Sequence, residues 1–217
     1  MALLKTVGLC KYFGGLKAVN HVDMEVQQGQ VFGIIGPNGA GKTTFFNLCA
    51  GTIPATEGEI WFDGKNITGY RPHMAAKAGI ARTFQNIQLF QNTTVLENVA
   101  VGFHIHTNTN MLDAVLGNAH QKNTEKEIYE KGAALLERLE LGQYKDTLAK
   151  NLPYGIQRKV EIARALAISP KILLLDEPAA GMNPNETHEL LLFVKKLNAE
   201  GLTVVAIEHD LKFIMNV

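Results

Sequence analysis

The amino-acid sequence predicts an α/β fold with a mixed, mainly parallel sheet, an N-terminal antiparallel β subdomain and an inserted helical subdomain. Residues 4–10 and 19–26 indicate the antiparallel part, because they alternate apolar and polar side chains as half-buried strands do. The apolar segments 172–175 and 202–207 flank a helix expected over 186–200. A strand, a helix and a second strand in this order are the unit from which parallel sheets are built.

The order of elements changes between about residues 86 and 165, where helices follow one another without strands. Residues 124–141 predict an amphipathic helix with four apolar side chains on one face, namely Ile128, Leu135, Leu136 and Leu139. Consecutive helices inside an alternating α/β order indicate an inserted subdomain. We therefore expect residues 1–217 to form one domain that contains a helical subdomain at about 86–165.

Composition is that of an ordinary soluble globular protein, since 46% of the 217 residues are hydrophobic and 19% are charged. The formal net charge is zero, so charge gives no reason to expect a nucleic acid as partner. Cys10 and Cys49 lie far apart in apolar surroundings, which predicts reduced, buried thiols and no disulfide or metal framework. No apolar run approaches the length that crosses a bilayer, and we expect a cytoplasmic protein.

Residues 36–43 match the pattern Gly, any four residues, Gly-Lys-Ser/Thr. An apolar strand expected over 31–35 precedes this run and a helix expected over 44–50 follows it. This context predicts a phosphate-binding loop and a P-loop NTPase core, because glycines let backbone N–H groups point at phosphate oxygens and the helix N-terminus adds its dipole. The expected nucleotide-binding residues of the loop are Gly36, Pro37, Asn38, Gly39, Ala40, Gly41, Lys42, Thr43 and Thr44.

Two of these loop residues have a specific expected role. Lys42 is expected to reach the β- and γ-phosphates, and the Thr43 hydroxyl is expected to ligate Mg²⁺. The apolar segment 172–175 ends in Asp176, which is expected to hold Mg²⁺ through an ordered water. Glu177 follows directly and is the catalytic candidate, because its carboxylate can polarise a water aligned with the γ-phosphate. Without the loop, these two acids would equally describe a strand that ends in a solvated turn.

The order of these motifs resembles the ATPase subunits of ABC transporters. Between the loop and the acid pair lie Gln85, behind a strand expected over 80–84, and the segment Leu-Pro-Tyr-Gly-Ile-Gln-Arg-Lys at 152–159. His209 follows the last predicted strand. The resemblance covers essentially the whole chain.

Three details look most like the ATPase subunits of bacterial branched-chain amino-acid importers. They are the run Ala-Arg-Thr-Phe-Gln-Asn at 81–86, the Leu-Pro-Tyr-Gly form of the segment at 152–155, and Ala-Ala-Gly-Met-Asn-Pro at 179–184. The implied activity is ATP hydrolysis that energises such an importer, with ATP and Mg²⁺ as cofactors.

The resemblance also implies roles for residues that the patterns alone do not identify. Phe13 would stack on adenine, although Tyr12 beside it offers a second ring. Gln85 would lie near Mg²⁺ and the attacking water, which makes it both a metal-site and a catalytic candidate. His209 would contact the γ-phosphate and is the third catalytic candidate. Gly155 would contact the nucleotide bound by a second subunit.

The segment 152–159 departs from the family's usual Leu-Ser-Gly-Gly-Gln at three positions, which are Pro153, Tyr154 and Ile156. Gly155 is kept, and a helix is expected to begin at Gln157. Backbone N–H groups and the helix dipole can therefore still meet phosphate. We expect a competent but weaker site for the partner's nucleotide.

The implied partners are a second ATPase subunit, identical or paralogous, integral membrane permease subunits and, through these, a substrate-binding protein; no nucleic acid is expected. The implied location is the cytoplasmic face of the inner (plasma) membrane, as a peripheral protein. Related ATPases continue beyond the position of Val217, so we expect the chain to be truncated at its C-terminus.

Several alternatives remain open from the sequence. Another ABC importer cargo, such as urea, an amide or a lipid, fits the same motifs. A nontransport ABC-type ATPase that remodels nucleic acid or ribosomes fits the loop and the acid pair, although neutral charge and the lack of a basic tail disfavour it. A small-molecule kinase would explain the loop, but neither the segment 152–159 nor the helices after Gln85.

Overall fold

The structure is a computed structural model that describes residues 2–106 and 119–208. It separates into two compact units, one formed by Met1–Asn86 with Pro170–Val217 and the other by Ile87–Ser169. His209, a predicted catalytic residue, lies outside the described residues.

The described part of the chain contains eight strands and six α-helices. The strands are β1 (Ala2–Phe13), β2 (Leu16–Gln27), β3 (Val31–Ile34), β4 (Glu57–Phe62), β5 (Lys65–Asn66), β6 (Ile80–Arg82), β7 (Ile172–Asp176) and β8 (Thr203–Ile207). The helices are α1 (Lys42–Cys49), α2 (Pro72–Ala78), α3 (Val95–Phe103), α4 (Ala119–Arg138), α5 (Tyr154–Leu166) and α6 (Pro184–Ala199).

An antiparallel sheet with the order β2-β1-β4-β5 forms the N-terminal part of the first unit. β1 and β2 are longer than the predicted 4–10 and 19–26, because both strands continue to a tight turn at Gly14 and Gly15. The extension places Tyr12 and Phe13 at the end of β1. Register shifts interrupt the β1–β2 pairing between Thr6 and Tyr12, so the alternation of faces is locally broken there.

A parallel sheet with the order β3-β8-β7-β6 forms the rest of the first unit. All residues of β7 and β8 are buried, as expected for central strands that are covered on both faces. The predicted strand–helix–strand unit is present as β7, α6 and β8, with Asn183 and Glu186 forming a capping box at the start of α6. The predicted α/β class with parallel and antiparallel sheets is confirmed.

The two sheets and α1 share one hydrophobic core within the first unit. Leu4 and Phe62 enter it from the antiparallel sheet, Phe46 from α1, and Leu174 and Val205 from the parallel sheet. Because parallel strands end at the same edge, the loops that follow β3, β6 and β7 begin on one side of this core, where β8 also ends.

The second unit is helical, and α3 packs against both α4 and α5. A buried ion pair lies in α5, where Arg158 Nη1 is 2.7 Å from Glu161 Oε2 and the two side chains are 0% and 2% exposed. The other Glu161 oxygen accepts the backbone N–H of Gln88. Of the four residues predicted to share a face, Ile128, Leu136 and Leu139 are buried and Leu135 is partly buried.

Two of the boundaries that differ from the sequence prediction lie next to expected site residues. α5 begins at Tyr154, three residues before the expected Gln157, with Pro153 at the N-cap position. Proline suits a helix start, because its missing N–H would have no partner there and its φ is compatible with a helix. The strand expected over 80–84 ends at Arg82, so Gln85 is reached through a short irregular segment.

Replacing Arg158 by Met should destabilise the protein by about 3–5 kcal/mol, because Glu161 keeps a buried charge without its counter-ion. Chemical denaturation followed by circular dichroism measures this loss. Lys131→Met is the matched control, since its ion pair with Glu127 is on the surface and should contribute little. Equal unfolding midpoints for the two variants would contradict the assignment.

Candidate active site

The phosphate loop connects β3 to α1 at the carboxyl edge of the parallel sheet. Lys42 is the first residue of α1 and is 9% exposed. Its Nζ donates to the carbonyl oxygens of Gly36 (2.6 Å) and Pro37 (2.9 Å). The loop's own backbone therefore holds the ammonium group over the concave side of the turn, where a phosphate oxygen would meet it.

Gly41 is the position where the loop depends on glycine. Its φ of +84° is left-handed, and a Cβ at this residue would lie 2.0 Å from the carbonyl oxygen of Ala18. A side chain is excluded both by the backbone conformation and by the close approach of β2. The phosphate loop can therefore pack this closely against the β1–β2 hairpin only with glycine at position 41.

Asp176 ends β7 and is 1% exposed. Its Oδ1 accepts a hydrogen bond from the Thr43 hydroxyl at 3.3 Å, so two of the three predicted metal-site residues are in contact. A hydroxyl and a carboxylate oxygen are the hard ligands that Mg²⁺ prefers, so the pair fits this ion.

Arg82 is a site residue for which sequence reasoning assigned no role. Its Nη2 donates to Asp176 Oδ2 at 2.9 Å, and its Nη1 donates to Asn47 Oδ1 in α1 at 2.5 Å. The rings of Phe46 and Phe84 lie 5.8 and 5.1 Å from its guanidinium carbon. Arg82 therefore neutralises and orients the carboxylate that was predicted to serve the metal. The only sequence signal was its place in the run 81–86.

Gln85 and Glu177 are brought together after β6 and β7. The Gln85 amide Nε2 donates to Glu177 Oε2 at 2.8 Å. Glu177 has a left-handed φ of +45°, which is uncommon for a residue that is not glycine, and its N–H donates to the carbonyl of Ile207. Strained backbone of this kind persists where the surrounding structure holds it, often at functional sites.

Phe13 lines a cleft of about 580 Å³ together with the loop residues 38–44, Gln85 and Glu177. The ring is half exposed, and Lys11 Nζ lies 5.2 Å from its centroid. Tyr12 instead packs under Lys17, whose Nζ is 5.6 Å from that ring. Of the two aromatics that the sequence offered, Phe13 is the one that lines the cleft.

Glu208 is a second residue that sequence reasoning missed. It is 6% exposed, and its Oε1 accepts the N–H of Ala179 at 3.1 Å. Its own N–H donates to the carbonyl of Ile34. The residue before the predicted His209 thus ties the end of β8 to β3 and to the turn after Glu177. Its only sequence signal was an acid at the end of an apolar strand.

Gly155 belongs to the second unit, where it is buried in the first turn of α5. It is not one of the residues that line the cleft of the first unit. The first unit holds the other described site residues: a lysine, two acids and a glutamine around a glycine-rich loop. This combination is that of a P-loop nucleotide hydrolase.

Comparisons with known proteins agree with this class. The family model described as "ABC transporter" matches residues 19–180. BraF of Pseudomonas aeruginosa, a high-affinity branched-chain amino acid transport ATP-binding protein, is 45% identical over 216 residues, which is 99% of this chain and 85% of the relative. The chain belongs to the ABC transporter family, and the predicted resemblance is confirmed.

Solved structures show the same fold. A nucleotide-free ATP-binding cassette from an ABC transporter has a TM-score of 0.86 and 38% identity, with 100% of this chain and 85% of that chain covered. A dimeric post-hydrolysis cassette bound to ADP and Pi has a TM-score of 0.79 and 27% identity, with 98% and 90% covered. Among the helices of residues 2–106 and 119–208, none is long and apolar enough to span a membrane.

Replacing Arg82 by Met should lower ATP turnover at least tenfold and raise the Mg²⁺ concentration for half-maximal rate, because Asp176 loses its orienting counter-charge. Steady-state ATPase assays over a Mg²⁺ series measure both quantities. Arg71→Met, a change at an exposed arginine, is the control and should leave them unchanged.

Because a buried ion pair is broken, Arg82→Met also has to be tested for folding. Arg82→Lys keeps the positive charge, so the protein should fold. A lysine cannot bond Asp176 and Asn47 at the same time, so this variant should still need more Mg²⁺ than the wild type for half-maximal rate, although less than Arg82→Met. An unchanged Mg²⁺ dependence in a folded Arg82→Lys protein would contradict the positioning role.

Proposed function

We propose that the chain binds ATP in the cleft next to the phosphate loop and hydrolyses it as the energising subunit of an ABC importer for branched-chain amino acids. The observation that carries the proposal is the placement of Lys42, Asp176, Glu177 and Gln85 around one loop at the carboxyl edge of one sheet. The family assignment supports ATP as the nucleotide.

The phosphate groups would lie on the loop. Lys42, which now bonds two loop carbonyls, would exchange them for β- and γ-phosphate oxygens with little movement. The left-handed turn at Gly41 directs backbone N–H groups and the start of α1 to the same oxygens. Phe13 would stack on the adenine at the other end of the cleft, since it is the exposed ring that lines the cleft.

The metal residues would be Thr43 and Asp176, with Gln85 near them. When bound, Mg²⁺ would neutralise charge on the β- and γ-phosphates. Arg82 would keep Asp176 Oδ2 engaged, and this leaves Oδ1 beside the Thr43 hydroxyl for the metal's water shell. Lys42, Thr43 and Asp176 thus come from two elements that one core holds together.

Glu177 would align and polarise the attacking water. The Gln85 amide sets the direction of its carboxylate, and the bond from its N–H to Ile207 fixes the backbone below it. His209 would contact the γ-phosphate, as the family resemblance implies for the histidine that follows the last predicted strand in the sequence. Positioning and electrostatics would supply most of the rate enhancement.

A second subunit, identical or paralogous, would complete the site. Gly155 and the first turn of α5 would meet the partner's γ-phosphate, with Pro153 at the N-cap position. The loop around 181–183 would lie at the same interface. The dimeric relative with ADP and Pi supports this arrangement. Permease subunits would then hold the dimer at the cytoplasmic face of the membrane.

Branched-chain amino acids are proposed as cargo because BraF carries that name and matches 99% of this chain. The cargo would contact the substrate-binding protein and the permease subunits. This chain would not touch the cargo, so uptake experiments have to distinguish branched-chain amino acids from other cargoes.

Glu177→Gln should reduce ATP turnover about a hundredfold or more, because the amide cannot polarise water as a carboxylate does. Nucleotide affinity should remain, since Lys42 and the loop are untouched. Phosphate release and a fluorescent-ATP titration measure the two effects. Glu200→Gln, at an exposed residue past α6, is the matched control. A variant that hydrolyses ATP at the native rate would refute the assigned role.

Removing the gene in the source organism should abolish high-affinity uptake of leucine, isoleucine and valine. The wild-type gene should restore uptake, and one encoding Glu177→Gln should not. Radiolabelled leucine, urea and a short amide, each tested alone, identify the cargo. Loss of urea or amide uptake with normal leucine uptake would refute the proposed cargo but would not contradict the proposed ATPase activity.

A further inference from the structure

Three strands of the antiparallel sheet bring one cysteine, one histidine and one glutamate together away from the ATP cleft. Cys10 lies on β1, His21 on β2 and Glu57 on β4. One donor atom from each lies within 4.8 Å of the other two. This is the one such group found among the residues that the structure describes.

Backbone pairing preorganises the cluster. Cys10 and Glu57 are register partners in the β1–β4 ladder. His21 stands where the β1–β2 register shifts between Leu9 and Lys11, and its φ of +49° is left-handed. The N–H of His21 donates to Cys10 Sγ at 3.1 Å. The thiol itself donates to the carbonyl oxygen of Gly8 at 3.4 Å, and a bound metal would displace this proton.

Neighbouring side chains complete the surroundings. His21 Nδ1 lies 3.1 Å from Asn20 Oδ1, so a proton on Nδ1 is donated there and the Nε2 lone pair is left for a ligand. Histidines that bind metals usually have such a partner on the other nitrogen. The Tyr12 hydroxyl donates to the same Asn20 oxygen at 3.4 Å, so the amide that faces His21 is itself held in place.

We propose that Cys10, His21 and Glu57 form a zinc site that is separate from the Mg²⁺ and ATP site. A thiolate, an imidazole and a carboxylate are the three ligand types that zinc takes in proteins, and thiolate disfavours Mg²⁺. The thiolate and the carboxylate offset the two charges of the ion. Water fills the fourth position of the tetrahedron, as in open zinc sites.

The required movement is small. Donor atoms of a tetrahedral zinc site lie about 3.5 Å apart, and they are within 4.8 Å here. His21 and Glu57 are exposed and can close on the buried Cys10 by side-chain rotation. The bound ion links β1, β2 and β4, so it stabilises the antiparallel sheet against unfolding.

The test uses the purified chain with a phosphine reductant and no nucleotide, so it does not depend on the proposed ATPase. Co²⁺ replaces Zn²⁺ as the spectroscopic probe. We expect one equivalent to bind with a thiolate-to-cobalt charge-transfer band and the visible bands of a four-coordinate ion. Zn²⁺ at a hundredfold excess over its Kd should raise the Tm by about 5–10 °C.

Cys10→Ser should abolish the charge-transfer band, while Cys49→Ser should keep it. Cys49 is the matched control because it is also a buried thiol, and burial raises its pKa to about 12. His21→Asn and Glu57→Gln should each weaken Co²⁺ binding at least tenfold. Asparagine tolerates the left-handed backbone of His21, and both positions are exposed, so these variants should fold.

Three results would overturn the proposal. They are no charge-transfer band at all, a band that survives in Cys10→Ser, or a band whose affinity is unchanged in both His21→Asn and Glu57→Gln. The last result would mean that cobalt binds a lone thiol. If Cys10→Ser does not fold, the two exposed variants decide the question by themselves.

Discussion

The ion pair between Arg82 and Asp176 is the interaction on which the candidate active site depends. Asp176 is 1% exposed, and a carboxylate so deeply buried needs a counter-charge in place. Arg82 supplies it from β6 and also bonds Asn47 of α1, so β6, β7 and the helix after the phosphate loop are tied at one point. A buried pair adds little net stability, but it fixes geometry. The distance from Thr43 to Asp176 follows from that fixed geometry.

Glu177 is also held by residues from different elements, in this case through hydrogen bonds to a strained residue. Its left-handed backbone is bonded to Ile207 at the end of β8, and its side chain is bonded to Gln85 after β6. Glu208 fixes the turn that follows through Ala179. The backbone of Glu177 and the turn after it are thus fixed, and Gln85 orients the carboxylate; electrostatic catalysis requires such preorganisation.

β1 connects the two sites of the first unit. Phe13 at its end lines the cleft, and Cys10 three residues earlier belongs to the proposed zinc cluster. An ion that links β1 to β2 and β4 would also fix the strand that carries the aromatic ring. Gly41 couples the loop to the same hairpin, since the backbone of Ala18 leaves it no room for a side chain.

The sequence by itself determined the α/β class, the phosphate loop and the acid pair, because each is encoded by residues adjacent in the chain and by the period of apolar side chains. Tertiary structure alone decided that Arg82 meets Asp176, 94 positions away, and that Phe13 rather than Tyr12 lines the cleft. It also placed Cys10 beside His21 and Glu57, where the sequence had predicted only a buried thiol. Such contacts depend on strand order and on register shifts, which no local pattern specifies.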